Sequence, residues 1–461
     1  MRTLALLLAL APLPTSAADL TDQVRAVLAE AGPGTRFGVL VTDAEGREIV
    51  AIAPDERFVP ASNTKMFTVA AAFDTLAALD KPDDAGGTAL GLEGDDIVLG
   101  GRGDARLSSA ADCVADCLAT LADAARRQTR QVRDVIGDDS LFADERWSPG
   151  MSWNNIPSRY GTGISALSLD DNEVRLTVTA GPAGAAPRVE SLGYFDVDNR
   201  AVTVAAGGAT KLDVDRLPLE RRVRLTGTIA IGEAPRTLQL GIDDPAHYAA
   251  WRFAGMLRER GVKVTGTVRA RHRDTPPKEP AADHMRLSPP PLIENLKTIN
   301  KVSQNLHAEL LLRRVGLKGG NGSIAAGQAA VGAMLTKAGV PRWAYDFSDG
   351  SGMSSYNRVT PRATVTMLRW IGRQPWGEAF RATLPIGGVD GTLARRFKGT
   401  PLEGKVFAKT GTLNQANALG GTLTAASGKT LVFGFYAADM PGDASATRVV
   451  DKALNLIAAG N

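Results

Sequence analysis

Phe58-Val59-Pro60-Ala61-Ser62-Asn63-Thr64-Lys65-Met66-Phe67-Thr68-Val69-Ala70-Ala71-Ala72-Phe73 is the stretch on which the reading of this 461-residue chain turns. Its first four residues are extended, with Pro60 as punctuation. From Ser62 the apolar residues recur at helical spacing through Leu76, with no internal Gly or Pro. Residues three apart share a helix face, so Lys65 stands beside the Ser62 hydroxyl. Free N–H groups and the dipole at a helix start favour developing negative charge. An amine acts as a base once its pKa falls, and burial near another cation lowers it. Alone, S-x-x-K is most often an N-cap serine with a solvated lysine.

Two further segments change that balance. Ser303-Gln304-Asn305 interrupts a mostly helical run over residues 296–312 and supplies a second hydroxyl and a carboxamide. Ser303 could relay a proton to a leaving amine, and Asn305 could hold a substrate amide. Lys409-Thr410-Gly411-Thr412 lies in the first strand of a terminal meander, residues 404–413, 418–424 and 430–436. A strand edge at a cleft can pair with an extended peptide. There Lys409 would meet a carboxylate and also serve as the second cation near Lys65. Gly411 would let a substrate backbone approach. The Thr412 and Ser62 N–H groups could form an oxyanion hole. Together these residues are the inventory of a serine acyl-transfer site with lysine as base.

This ordered set resembles the penicillin-binding proteins and serine β-lactamases. Ser303 lies 241 positions after Ser62, far more than a compact β-lactamase needs. That insertion resembles the class-C low-molecular-mass penicillin-binding proteins, which are D-alanyl-D-alanine carboxypeptidases and endopeptidases. Residues 101–107, 160–168, 349–352 and 384–393 agree with that family as well. The resemblance implies an α/β (α+β) fold of the penicillin-binding transpeptidase type, with a five-stranded antiparallel sheet flanked by helices and a large two-module insertion. It implies catalytic Ser62, Lys65 and Ser303, and substrate-binding Asn305, Lys409, Thr410, Gly411 and Thr412. It further implies peptidoglycan stem peptides as substrate, β-lactams as covalent inhibitors and no cofactor. Two positions depart from the family pattern: Gln304 stands where Asp is common, and Ala105 where Pro is common. A serine β-lactamase or esterase, and a non-enzymatic cell-wall-binding protein, are the competing readings.

The remaining sequence fits this reading. Residues 1–18 have the charge, the short apolar stretch and the small residues of a signal peptide, with cleavage before Asp19. The expectation is an exported protein, periplasmic or in the cell envelope, without a transmembrane anchor after signal removal. A net charge of +3, mixed along the chain, gives no nucleic-acid surface. Gly100-Gly101-Arg102-Gly103-Asp104 follows a strand but lacks the G-x-G-x-x-G helix opening and a Walker lysine, so it reads as a turn. The four histidines are scattered, and no metal-type spacing is present. Cys113 and Cys117 are a candidate disulfide. Export favours it, while the helix expected over residues 111–127 would suit the bond poorly.

The catalytic domain is expected to be discontinuous, residues 19–80 and 285–461. It opens with a helix at 20–31 and a hairpin of strands 35–42 and 47–52. Residues 81–172 and 241–284 would form an α/β insertion with a βαβ unit, interrupted by a nested β-rich module at 173–240. A helix at 246–260 and a strand at 262–269 complete the insertion, and residues 275–280 read as a Pro-rich linker.

Overall fold

The computed structural model describes residues 17–272, 285–442 and 444–461. The bulk of the signal-like stretch and the Pro-rich linker lie outside them. Five antiparallel strands form the central sheet, in the order Val406–Leu413, Ala416–Thr424, Thr430–Ala438, Arg36–Asp43, Glu48–Ile52. The terminal meander thus pairs with the N-terminal hairpin through Thr430–Ala438 and Arg36–Asp43.

Alternation along the strands divides the side chains between two cores. Val39, Val41, Phe433, Phe435 and Leu419 face the terminal helices Ala17–Ala29 and Thr447–Ala459. Leu40, Val432, Tyr436 and Ala418 face a larger layer of helices. At the heart of that layer lies Thr64–Thr75, preceded by a 3-10 turn, Ala61–Asn63. Residues 64–73 of this helix are all buried. Its sequence is accordingly apolar all round rather than along one stripe.

The insertion carries its own five-stranded sheet, in the order Val268–Arg271, Val135–Asp138, Asp96–Gly100, Ala89–Glu93, Met285–Arg286. Asp96–Gly100 and Val135–Asp138 run parallel, joined through helix Leu118–Gln128 as a βαβ unit. This helix is shorter than the expected 111–127. Residues before it form turns, Cys117 is extended (φ −94°, ψ 126°), and Cys113 and Cys117 are joined in a disulfide. The objection from helical geometry therefore does not apply. The strand expected at 262–269 is split into Lys263–Val264 and Val268–Arg271. Between them Gly266 passes so close to Asp134 that a Cβ would sit 2.1 Å from its carboxylate.

Residues 173–241 are β-rich, from Glu173–Thr179 to Arg236–Gly241. Val178, Ala201, Leu225 and Ile229 form a small cluster of their own, but a second set of the segment's apolar side chains is shared. Val174, Leu176, Tyr194, Phe195 and Val223 pack in one cluster with Leu99, Leu118, Tyr248 and Phe253 of the surrounding α/β unit. Buried Arg216 adds a two-armed ion pair to Asp243, at 2.5 and 2.6 Å. Among the described residues, no helix is long and apolar enough to cross a membrane.

Candidate active site

The 3-10 turn carrying Ser62 lies directly on the edge of the central sheet, and glycine makes that contact feasible. A Cβ on Gly411 would sit 2.4 Å from the Pro60 carbonyl, and one on Gly420 would sit 2.8 Å from Asn63 Oδ1. Asn63 Nδ2 donates to the Lys409 carbonyl at 2.8 Å, fastening turn to strand. The space freed by the missing Gly411 side chain is thus occupied by the protein's own backbone. Behind the turn, Gly352 (φ +89°) lies where a Cβ would be 1.9 Å from the Ala61 carbonyl.

Lys65 is fully buried. Its Nζ donates to Ser62 Oγ at 3.0 Å, Asn305 Oδ1 at 2.7 Å and the Ser351 carbonyl at 2.6 Å. Burial lowers its pKa to about 7, against the opposing pull of Asp349 and Glu309. Burial is the first cause, as the sequence reading required, and the repulsion between the two ammonium groups bears on Lys409. Lys409 is itself fully buried and held well below lysine's usual range, first by burial and then by the charge of Lys65. Its Nζ donates to Ser303 Oγ and to the Thr410 carbonyl, each at 2.9 Å.

Ser303 adopts a left-handed backbone (φ 65°) just beyond helix Leu292–Lys301. This turn brings its hydroxyl to Lys409. Gln304 then caps the next helix, Asn305–Gly316, its side-chain oxygen accepting from Leu306 N at 3.1 Å. Asn305 is engaged at both ends, since its Nδ2 donates to the Tyr160 carbonyl at 3.3 Å. Thr410 Oγ1 donates to Thr392 Oγ1 at 2.8 Å. Ser62, Ser303, Asn305, Thr410 and Thr412 line one cleft of about 310 Å³, with Arg159, Tyr160 and Met353 at its walls.

Ser62, Lys65, Ser303, Asn305, Lys409 and Thr410 are therefore brought together. Cys113 and Cys117 belong to the insertion's βαβ unit. His307 is buried between Asn295 (2.6 Å) and Asp171 (2.8 Å), a structural rather than basic position. His247 and His272 bond within the insertion, and His284 lies outside the described residues. Among the described residues no group of His, Cys, Asp or Glu could hold a metal ion.

Sequence reasoning missed the support beneath Lys65. Glu309 Oε1 accepts from the backbone N–H groups of Gly350 and Ser351, at 3.0 and 2.8 Å. Asp349 accepts from Gly352 N at 2.9 Å, Ser354 N at 2.6 Å and Asn357 Nδ2 at 2.6 Å. Together they fix the loop whose Ser351 carbonyl holds the lysine. Burial and the nearby Asp349 raise Glu309 to about 7. One signal was available: Glu309 follows Asn305 by four positions, on the same helix face, inside an otherwise apolar run.

Sheet, buried helix and the two lysines flanking two serines define the class of penicillin-binding, serine β-lactamase-like folds. The chain belongs to the D-Ala-D-Ala carboxypeptidase 3 (S13) family, whose description matches residues 20–460. It is 35% identical over 439 residues to a D-alanyl-D-alanine carboxypeptidase of Actinomadura sp. (strain R39), covering 89% of this chain and 79% of the relative. It is 24% identical to the penicillin-sensitive carboxypeptidase A of Dictyostelium discoideum, over 85% of this chain and 80% of that one. Its fold superposes on the crystal structure of penicillin-binding protein 4 from Haemophilus influenzae with a TM-score of 0.79, at 24% identity over 94% of this chain and 98% of the other.

Proposed function

We propose that the chain is a serine D-alanyl-D-alanine carboxypeptidase acting on peptidoglycan stem peptides through an acyl-enzyme on Ser62. The observation that carries this reading is the Lys65 ammonium 3.0 Å from Ser62 Oγ, with its pKa lowered to about 7. At that value a substantial fraction is free amine near neutral pH, fit to accept the serine proton. Ser62 Oγ attacks the carbonyl between the last two D-alanines while Lys65 takes its proton. The Ser62 and Thr412 N–H groups receive the oxyanion. The C–N bond breaks, and the departing amine takes a proton through Ser303. Water then cleaves the ester, releasing the shortened peptide and restoring the serine hydroxyl. An incoming terminal carboxylate would restore charge to Lys409, whose burial disfavours it in the free enzyme. The same chemistry on a cross-linked peptide is endopeptidase cleavage.

Family membership and the penicillin-sensitive relative support β-lactams as covalent inhibitors that acylate Ser62. Export to the periplasm or cell envelope belongs to the same proposal, as does the division into residues 19–80 with 285–461, 81–172 with 241–284, and 173–240, except that strand Met285–Arg286 pairs with the insertion's sheet. Intact-protein mass spectrometry after benzylpenicillin treatment tests the central claim. The expected result is a single penicilloyl adduct mapped to Ser62 and absent from Ser62→Ala. An unshifted wild-type mass, or full labelling of Ser62→Ala, overturns it. Digestion of purified cross-linked muropeptides, followed by separation of the products, distinguishes endopeptidase from carboxypeptidase action.

A further inference from the structure

Arg313 lies on the helix that begins at Asn305, is 1% exposed, and is among the largest side chains that are fully buried. A charge in the interior is costly unless other charges answer it. Burial holds the guanidinium below the usual arginine range, and Glu309, Glu145 and Asp349, in that order, oppose the effect. Arg313 Nη2 donates to the Glu145 carbonyl at 2.9 Å, and Nη1 lies 3.9 Å from a carboxylate oxygen of the same residue. Glu145 belongs to the insertion, and its carboxylate also accepts from Ile324 N at 2.6 Å. The arginine is thus anchored on the insertion.

Glu309 stands four positions before Arg313, on the same helix face, and is buried as well. One of its oxygens accepts from the Gly350 and Ser351 N–H groups. Neither its other oxygen nor Arg313 Nη1 has a hydrogen-bond partner, so charge across one helical turn is what joins the two side chains. Arg313 is the cation that opposes the burial of Glu309 and its repulsion by Asp349. The Ser351 carbonyl then accepts from Lys65 Nζ at 2.6 Å. A continuous polar path therefore runs from Glu145 through Arg313, Glu309 and the 350–351 backbone to the base. The other charged groups around it are Asp349 beneath the lysine, Lys409 on the sheet edge, and Arg146, which lines a small cavity with Asn305, Glu309 and Ser351. Arg146 is engaged elsewhere, with Asp144 at 3.2 Å and the Asp243 carbonyl at 2.9 Å.

We propose that Arg313 is a positioning residue for the base: anchored on the insertion, its buried charge keeps Glu309 ionised beneath the Ser351 loop and so sets the charge that Lys65 meets. The proposal rests on the peptidase reading only for the use of Lys65 as the base. Without the guanidinium, burial and Asp349 act on Glu309 unopposed, and the carboxyl keeps its proton to higher pH. A neutral Glu309 no longer raises Lys65, which then loses its proton at lower pH. Removing a cation also relieves repulsion on the lysine, which acts in the opposite direction. Asp349 and Glu309 are the charges that dominate at Lys65, so the first effect wins.

The test is the pH dependence of Ser62 acylation by benzylpenicillin in the full-length chain. Arg313→Met should move the rising limb to lower pH, by about half a unit to one unit. In a Glu309→Gln background the same substitution should move it no further, because the group through which the arginine acts is gone. Arg313→Gln removes the same charge but keeps a donor for the Glu145 carbonyl, and gives the same readout if Arg313→Met fails to fold. A lower rate with an unmoved midpoint, as a purely structural role predicts, overturns the proposal. So does an alkaline shift, or a shift that persists in the Glu309→Gln background. A wild type that forms no adduct at any pH overturns the peptidase reading instead, whereas a labelled wild type beside an unmoved arginine variant overturns this inference alone.

Discussion

Lys65 sets the pH behaviour expected of the site. Deprotonated lysine is the base, so kcat/KM should rise with pH through a midpoint near the lysine's value of about 7. Glu309 pulls that value upward. Glu309→Gln keeps an acceptor for the Gly350 and Ser351 N–H groups but removes the charge. The rising limb should then move to lower pH, by up to about one unit. A pH–rate profile of both proteins with a D-Ala-D-Ala peptide checks this, and an alkaline shift would contradict it. The same lysine makes a stability statement. Between about 7 and 10.5 the unfolded chain holds a proton that the folded chain lacks. Stability therefore gains from this group as pH rises across that window, by at most about 1.4 kcal/mol per unit. Denaturant melts of wild type against Lys65→Met should show that slope in their difference. The serine–lysine spacing was legible because i and i+3 are neighbours in any helix. The depressed pKa was legible only as a requirement, since burial arises from packing that no single segment encodes.

At the scale of elements, the site depends on how closely a turn can lie against a strand. Gly411 has no room for a methyl group, since a Cβ would be 2.4 Å from the Pro60 carbonyl. Gly411→Ala must push Val406–Leu413 and Ala61–Asn63 apart, at a cost of about 1–3 kcal/mol. The displaced pair would carry Lys409 away from Ser62, so benzylpenicillin acylation should slow at least about tenfold. Stopped-flow acylation with a parallel thermal melt measures both, and an unchanged acylation rate would refute the contact's role. The meander and the hairpin were readable from alternation and turn residues, which are local. The use of Gly411 was not, because its neighbour Pro60 is remote in sequence and meets it only after the sheet closes. The helix expected over 111–127 failed for a similar reason. Its first turn has apolar spacing, but a disulfide between Cys113 and Cys117 and an extended Cys117 occupy that stretch.

At the scale of the molecule, the question is whether residues 173–240 can be removed. Geometry permits the cut: Glu173 and Gly241 are paired neighbours, and Ile242 N donates to the Asn172 carbonyl at 3.1 Å. Packing argues against a neutral outcome. Excision takes Val174, Leu176, Tyr194, Phe195 and Val223 from a core shared with Tyr248 and Phe253, and removes Arg216 from the buried Asp243. Large apolar side chains contribute about 1.5–3 kcal/mol each when fully buried, and a buried carboxylate stripped of its partner adds about 3–5 kcal/mol. The insertion should therefore unfold or aggregate. The central sheet has its own two cores, on residues outside 81–284. A thermal scan of a Gly-linked 173–240 deletion should show the loss of an early transition, with a later one retained. Acylation should weaken with it, because Arg159 and Tyr160 wall the cleft from the insertion. A deletion variant that melts as the full chain does and acylates at the full rate would show the β-rich residues to be an independent appendage, and the shared core to be energetically unimportant.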